Sequence, residues 1–556
     1  MTQAVDVRPR ALRAYLTPDA VAALAVSCLV GVWMVVGLFG HDPWKPDEAY
    51  TVGLVHQMAR SGDWVVPALA GEPFMEKPPL FYASAVLFVK SAGNLLAGHE
   101  AARIATLLYV ALTLLFSALT AARLYGPRRA LPCMLILIGC IGYISSAHLL
   151  ITDHGLMAGI AVALYGLAII LQQPVIGGLA LGTGAGVAFL SKGLFGPGVI
   201  GITCASIALL PAWHTRRYLK ALVLAGAAFA PWALIWPWML FSRSPELFSE
   251  WLVQNNLGRF TGTVTLGPEA EHLMYLRILP WFALPAFPLA IWHAVSRAKA
   301  GEKFLRRAEI QMPLVMTAVM LAVLSVASTS RFLYAMPMLV PLAVLGAAHA
   351  PSSPRWLVEK LARASVTLGA IVGCAIWAGW LVLFAGWPNA ASEWLAGWRP
   401  GFIPRFEPLN VLIAIFASAG WLALVRWSKI FEDRLTFNWA ATVTLAWVLI
   451  MTLWVSWIDF GNSYRSVVEE IKTRLPANTN CIASRDLGEP QRAMLDYFGG
   501  VLTRREPAST TKDCKVLLVE GTTRPEELES PWRWTLLWSG TRPGDAKERF
   551  WLLSRH

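Results

Sequence analysis

Residues 79–97, PLFYASAVLFVKSAGNLLA, decide how this chain is threaded. They are apolar enough to cross a bilayer, but Lys90 stands in the middle and Gly93-Asn94 lies near the end. If they crossed, the loop with Arg123, Arg128 and Arg129 would be forced outside, and Asp153 would lie on the opposite face from Asp47. If they lie flat as an interfacial helix, every basic loop falls on one side. The flat helix is the expectation. It gives about thirteen spans, with the N-terminus inside and the C-terminus outside.

The other apolar windows follow from that choice. After a first span through Val36 they fall near 100–122, 130–150, 155–172, 174–190, 194–212, 219–241, 276–295, 310–328, 333–349, 365–386, 409–425 and 438–458. Basic residues fill alternate connections: Arg216, Arg217 and Lys220; Arg297, Lys299, Lys303, Arg306 and Arg307; Arg355, Lys360 and Arg363; Arg426, Lys429 and Arg434. Arg8, Arg10 and Arg13 precede the first span, and no small-residue cleavage site follows it, so an uncleaved span is expected.

Composition agrees with a membrane protein. Apolar residues make up 56% of the chain and charged ones 15%, outside the usual range for soluble domains. Many of the 26 tryptophans, such as Trp33, Trp44, Trp232, Trp236, Trp238, Trp281 and Trp427, stand near span ends, where indole rings favour the headgroup layer. The net charge of +12 is scattered over short loops between apolar spans, which is a topology signal and excludes nucleic acid as a partner.

The outer face collects the polar residues that need explaining. Asp47-Glu48 follows the first span, and Glu76-Lys77-Pro78-Pro79 closes the same loop. A carboxylate at membrane depth costs roughly 2.5–3.5 kcal/mol, so acidic groups held at that surface suggest chemistry. Asp153-His154, Lys192, the 242–275 loop, Arg331 with Tyr334 and the 387–408 loop are expected on the same face. The chain divides into a transmembrane domain, 1–458, with a catalytic loop at 40–97, and a soluble α/β domain, 459–556. Cys481 and Cys514 each open a short β-like run there, and an oxidising compartment would allow them to pair.

Several motifs together carry a resemblance. They are Asp47-Glu48, SGDWVVPALAGEPFMEKPPLFY at 61–82, HEAARIATLLY at 99–109, ITDHGL at 151–156, GVAFLSKGLFGP at 186–197, NNLGRF at 255–260 and SRFLYAMPMLVPLAVL at 330–345. In this order the chain resembles the GT-C integral-membrane glycosyltransferases, and within them most the lipid A aminoarabinose transferases. The resemblance implies a multi-pass enzyme of the bacterial inner membrane, acting as a monomer among membrane lipids. It would move 4-amino-4-deoxy-L-arabinose from undecaprenyl phosphate to a lipid A phosphate on the periplasmic side, giving polymyxin resistance. The alternative is a related enzyme that glycosylates a protein or another envelope glycan. The family usually carries Arg-Tyr two residues after the Asp-Glu pair. Here Ala49-Tyr50-Thr51 stands instead, a departure that bears on the sugar and leaves the reaction class intact.

Such a reaction places growing negative charge on a lipid phosphate, so cations near it stabilise the transition state. Lys77, Lys192, Arg331 and Arg259 are the candidates. Tyr334, three residues after Arg331, would share its helix face and donate a hydrogen bond. Asp47 is the expected central carboxylate, as general base or as ligand of a sugar amine, although it could instead cap a helix. Asp153 and Glu76 complete the catalytic set, while Glu48 is expected to be structural. Glu76, His154 and His272 could ligate a divalent ion such as Zn²⁺, but no dense spacing supports this and no cofactor is expected to be required. No cytoplasmic Gly-rich phosphate loop or DxD motif points to a soluble nucleotide-sugar enzyme. GLALGTGAG at 178–186 lies in an apolar span, where glycines allow close helix packing. A transporter would be expected to show repeated halves, and none is seen.

Overall fold

The computed structural model describes residues 18–264, 271, 273–299, 306–348, 355–431, 433–477, 479, 481–506, 514–529 and 533–555. Arg8, Arg10, Arg13, Lys303 and His272 lie outside the described residues.

Residues 79–97 form the helix Leu80–Ala92, 13 residues long. At 1.5 Å per residue it spans about 20 Å, short of the ~30 Å hydrocarbon core. It packs between the helices Asp47–Ser61 and Gly98–Tyr125. Lys90 lies over the Trp64 ring at 5.3 Å. The segment is not among the helices long enough to cross.

Among the described residues, seven helices are long and apolar enough to span: Gly98–Tyr125, Pro174–Lys192, Arg216–Arg243, Ala308–Val326, Arg355–Ala385, Pro408–Ile430 and Arg434–Leu453. Met274–Phe282 and Ala286–Lys299 make an eighth only as a pair bent by 91°. Shorter apolar helices, among them Pro18–Val35, Asp153–Ile169 and Phe195–Ala208, occupy other windows. Two windows expected to be straight are broken. The window at 130–150 holds Ala130–Ile138, then an extended Cys140 and the single turn Ile141–Ile144. The window at 276–295 bends at Ala283–Pro285, where Pro285 lacks an amide proton and disfavours helix at Leu284.

The hairpin Asp153–Ile169 and Pro174–Lys192 positions two charges. A Cβ on Gly159 would come 2.6 Å from the Gly184 carbonyl, and one on Gly166 would come 2.7 Å from the Gly177 carbonyl. The glycines therefore let the two backbones touch. Because the helices run antiparallel, the first residue of one, Asp153, meets the last residue of the other, Lys192.

The C-terminal part begins with the helix Arg465–Arg474 and builds a five-stranded sheet. After a small hairpin in the membrane part, β1 (Ala68–Leu69) and β2 (Glu72–Pro73), the strands are β3 (Ile482–Arg485), β4 (Thr503–Arg505), β5 (Val516–Glu520), β6 (Trp534–Arg542) and β7 (Asp545–Arg555). Their order is β4-β3-β5-β7-β6. β3 runs parallel to both β4 and β5, and β7 runs antiparallel to β5 and β6. Ile482 pairs with Val516, so the cysteines just ahead of these parallel strands lie side by side, and Cys481 is joined to Cys514. The helix Glu489–Gly499, between β3 and β4, packs on Asp47–Ser61. Contact is close enough that a Cβ on Gly53 would lie 2.6 Å from that of Ala493.

Candidate functional site

Adjacent Asp47 and Glu48 have opposite fates. Glu48 is 1% exposed and ion-paired at 2.8 Å with Arg103, itself 0% exposed. Its carboxylate also accepts the amides of Trp44 and Leu150, both at 3.0 Å. Arg103 donates to the carbonyls of Leu38, His41 and Asp42. Burial raises the Glu48 pKa, and Arg103 outweighs it, leaving the group below the usual carboxylate range. Glu48 thus ties down the entry to the loop.

Asp47 is the first residue of its helix, and no side chain caps that end. Its carboxylate instead accepts the Tyr50 hydroxyl at 2.9 Å and lies 3.8 Å from Arg331. Lys77 donates to the Tyr50 oxygen and sits 4.9 Å from the centre of its ring. Lys77, Tyr50 and Asp47 form one chain of hydrogen bonds. Burial pulls the Lys77 pKa down, but Tyr50 and Glu76 beside it hold it well above the usual lysine value. Glu76 pairs with Arg259 at 2.7 Å and with Lys77 at 3.8 Å. Burial opposes its ionisation, and Lys77 and Arg259 reverse the effect, bringing its pKa to about 2. Across the site, Lys192 pairs with buried Asp153, and its ammonium lies 4.7 Å from the centre of the Tyr334 ring.

Two cavities meet here. The first, about 350 Å³, is walled by Leu156, Phe195, Val199, Ile202, Val323 and Leu324, with Lys77, Lys192 and Tyr334 at its polar end. The second, about 380 Å³, is lined by Asp47, Tyr50, Arg331, Glu72 and Glu250, and by Glu489, Arg492 and Arg505 from the C-terminal part. Glu76, Asn255 and Arg259 line both. Asn255 reaches this seam from a wide helical run, Glu250–Gly258, whose i to i+5 hydrogen bonding marks it as a π-helix, and Arg259 from the α-helical turn that directly follows it.

Asp47, Glu76, Lys77, Asp153, Lys192, Arg259, Arg331 and Tyr334 are thus all within this one region. Arg331 and Tyr334 do not share a helix face, however. Arg331 is extended and precedes the 3₁₀ turn Phe332–Met338, so it lines the polar cavity while Tyr334 lines the apolar one. His154 is buried against the Ser146 carbonyl at 3.0 Å and is not among the residues that line either cavity. His272 lies outside the described residues. Among those described, no group of three His, Cys, Asp or Glu side chains could hold a metal, and Glu76 is already engaged by two cations. Sequence reasoning passed over Tyr50, Asn255, Glu250, Glu72, Arg492 and Arg505. The spacing of Asn255 and Arg259 within NNLGRF was the one available signal.

No family profile matches the chain. It is 24% identical over 508 residues to an undecaprenyl phosphate-alpha-4-amino-4-deoxy-L-arabinose arabinosyl transferase of Serratia proteamaculans, covering 86% of this chain and 82% of that protein. It is 28% identical over 451 residues to the protein of the same name in Pseudomonas aeruginosa UCBPP-PA14, covering 76% and 73%. The fold matches the crystal structure of ArnT from Cupriavidus metallidurans bound to undecaprenyl phosphate, with a TM-score of 0.70, 18% identity, and coverage of 96% of this chain and 98% of that one.

Proposed function

We propose that this chain, an ArnT-like glycosyltransferase of the GT-C superfamily, moves 4-amino-4-deoxy-L-arabinose from undecaprenyl phosphate to a phosphate of lipid A. The observation that carries this reading is the meeting of an apolar and a charged cavity at Glu76, Asn255 and Arg259. A polyprenyl chain fits the first cavity and leaves its phosphate at the polar end, beside Lys77, Lys192 and Arg259. The sugar and the acceptor belong in the second cavity.

In the reaction, an acceptor phosphate oxygen forms the new bond to the anomeric carbon as the bond to the lipid phosphate oxygen breaks. The leaving group takes the electron pair, and the three cations stabilise its growing charge. An ionised phosphate needs positioning more than deprotonation. Asp47 therefore serves as a fixed negative charge beside the sugar, held by Tyr50, rather than as a base. Asp153 holds Lys192 in place. The cations supply the stabilisation a metal would otherwise give, so no divalent ion is required, and turnover is expected to survive chelation with EDTA.

The basic loops support an inner-membrane protein with its N-terminus in the cytoplasm and both cavities and the C-terminal domain facing the periplasm. The test is incubation of purified protein with undecaprenyl-phosphate aminoarabinose and lipid A, followed by mass spectrometry. Lipid A gaining one aminopentose is expected with wild type and not with Asp47→Ala. Unmodified lipid A beside a glycosylated protein or another modified envelope glycan would move the acceptor to that alternative class.

A further inference from the structure

Five carboxylates line the polar cavity, and four of them have a cation beside them. Asp47 has Arg331 at 3.8 Å, and Glu76 has Arg259 at 2.7 Å. Glu72 has Arg492 at 2.8 Å and Arg505 at 3.4 Å. Glu489 has Arg505 at 3.8 Å. The fifth, Glu250, has no ion pair or side-chain hydrogen bond among the described residues; only its backbone is engaged, the amide donating to the Glu246 and Leu247 carbonyls and the carbonyl accepting from Asn255. It is half-buried. Burial raises its pKa without any charge to offset it. A carboxylate kept partly out of water with no partner is unfavourable unless a cation arrives with the ligand.

Its place in the fold fits that reading. Glu250 opens the π-helical run and Arg259 directly follows it, so residues 250, 255 and 259 fall five and four apart, about one turn each. Glu250 is thus on the same wall as Asn255 and Arg259, which line the seam with the apolar cavity. In a 4-amino pentose the amine stands across the ring from the anomeric carbon. With the anomeric phosphate among the cations at the seam, the ammonium is directed away from them, into the polar cavity. We infer that Glu250 is the specificity-determining residue that receives the ammonium of the donor sugar. This rests on the aminopentose donor proposed above.

The test uses the purified full chain and two lipids: undecaprenyl-phosphate aminoarabinose, and an analogue with a hydroxyl in place of the amine, measured as a competitive inhibitor. Wild type that fails to turn over the amino donor would overturn the donor reading, and this inference with it. Given turnover, Glu250→Gln is expected to raise the KM for the amino donor about tenfold or more, with kcat within twofold. The inhibition constant of the hydroxyl analogue stays unchanged. Glu250→Asp, which keeps the charge, recovers part of the loss. An unchanged KM for the amino donor, or equal weakening of both lipids, would overturn the assignment while leaving the donor reading in place.

Discussion

The two cavities are nearly equal in size, about 350 and 380 Å³, and share three residues, but they are built from different parts of the chain. The apolar one is lined from the membrane helices and loops alone. The polar one is closed by Glu489, Arg492 and Arg505, which lie more than 150 positions beyond Arg331. The difference separates two tasks. Holding a long lipid calls for apolar wall with cations at one end, and holding a charged sugar and acceptor calls for paired charges that water can reach. The seam is where both tasks bear on one bond.

The largest effect is expected at the seam. Lys77→Met removes a cation from the leaving phosphate and frees the Tyr50 hydroxyl that orients Asp47. Losing one such group from an electrostatic site typically costs on the order of 100- to 1,000-fold in kcat. Single-turnover rates with the purified enzyme would show it. Wild-type kcat in a folded Lys77→Met protein would remove the phosphate from this end of the apolar cavity.

Substitutions on either side of the seam should divide the two substrates. A Cβ on Gly198 meets nothing within 4 Å, and Gly198 lines the apolar cavity, so Gly198→Leu adds a side chain to lipid space from an unobstructed Cβ. It should raise the donor KM roughly tenfold, the effect of about 1.4 kcal/mol, and leave the acceptor KM alone. Arg505→Ala, at the other end, should raise the acceptor KM by up to about tenfold and leave the donor KM alone. Either variant shifting both constants equally would show that the cavities act as one.

These substitutions also mark what could be read from the chain. Asp47, Glu76, Lys77, Asp153 and Lys192 stood out because a charge beside an apolar span is costly and therefore informative. Their convergence followed once 79–97 was kept out of the membrane. Glu250, Arg492 and Arg505 gave no such signal. They come from stretches where charged residues are ordinary, and only the packing of Glu489–Gly499 on Asp47–Ser61 brings the two arginines to the site. The breaks at Gly139–Cys140 and Leu284–Pro285 were hidden by unbroken apolar character, although glycine stood at the first and proline at the second. Arg331 and Tyr334 were misjudged because a helical period was applied to a residue that precedes the turn.

The smallest effect tests whether the two cavities also differ in their response to pH. Glu520, at the end of β5, accepts a hydrogen bond from Gln491 at 3.1 Å, and Gln491 neighbours Pro490 and Arg492 in the wall of the polar cavity. Burial, then repulsion from Glu548, raises its pKa to about 7, against the opposing pull of Gln491, the Gly488 amide and Lys45. A carboxyl whose folded pKa lies above its unfolded value of about 4.3 binds its proton more tightly when folded. Its contribution is present in full below the unfolded value and is lost as pH rises through about 7. A shift of this size is worth at most ~4 kcal/mol, and partial exposure reduces it to about 1 kcal/mol. Between pH 5 and 8 the melting temperature should therefore fall by a few degrees. The acceptor KM should rise slightly over the same range while the donor KM holds, because the apolar cavity, the seam and the Glu250 wall that hold the donor all come from outside this domain. Glu520→Gln should flatten both trends. A pH-dependent donor KM that vanishes in Glu520→Gln would instead make the seam a conduit between the two cavities rather than a boundary.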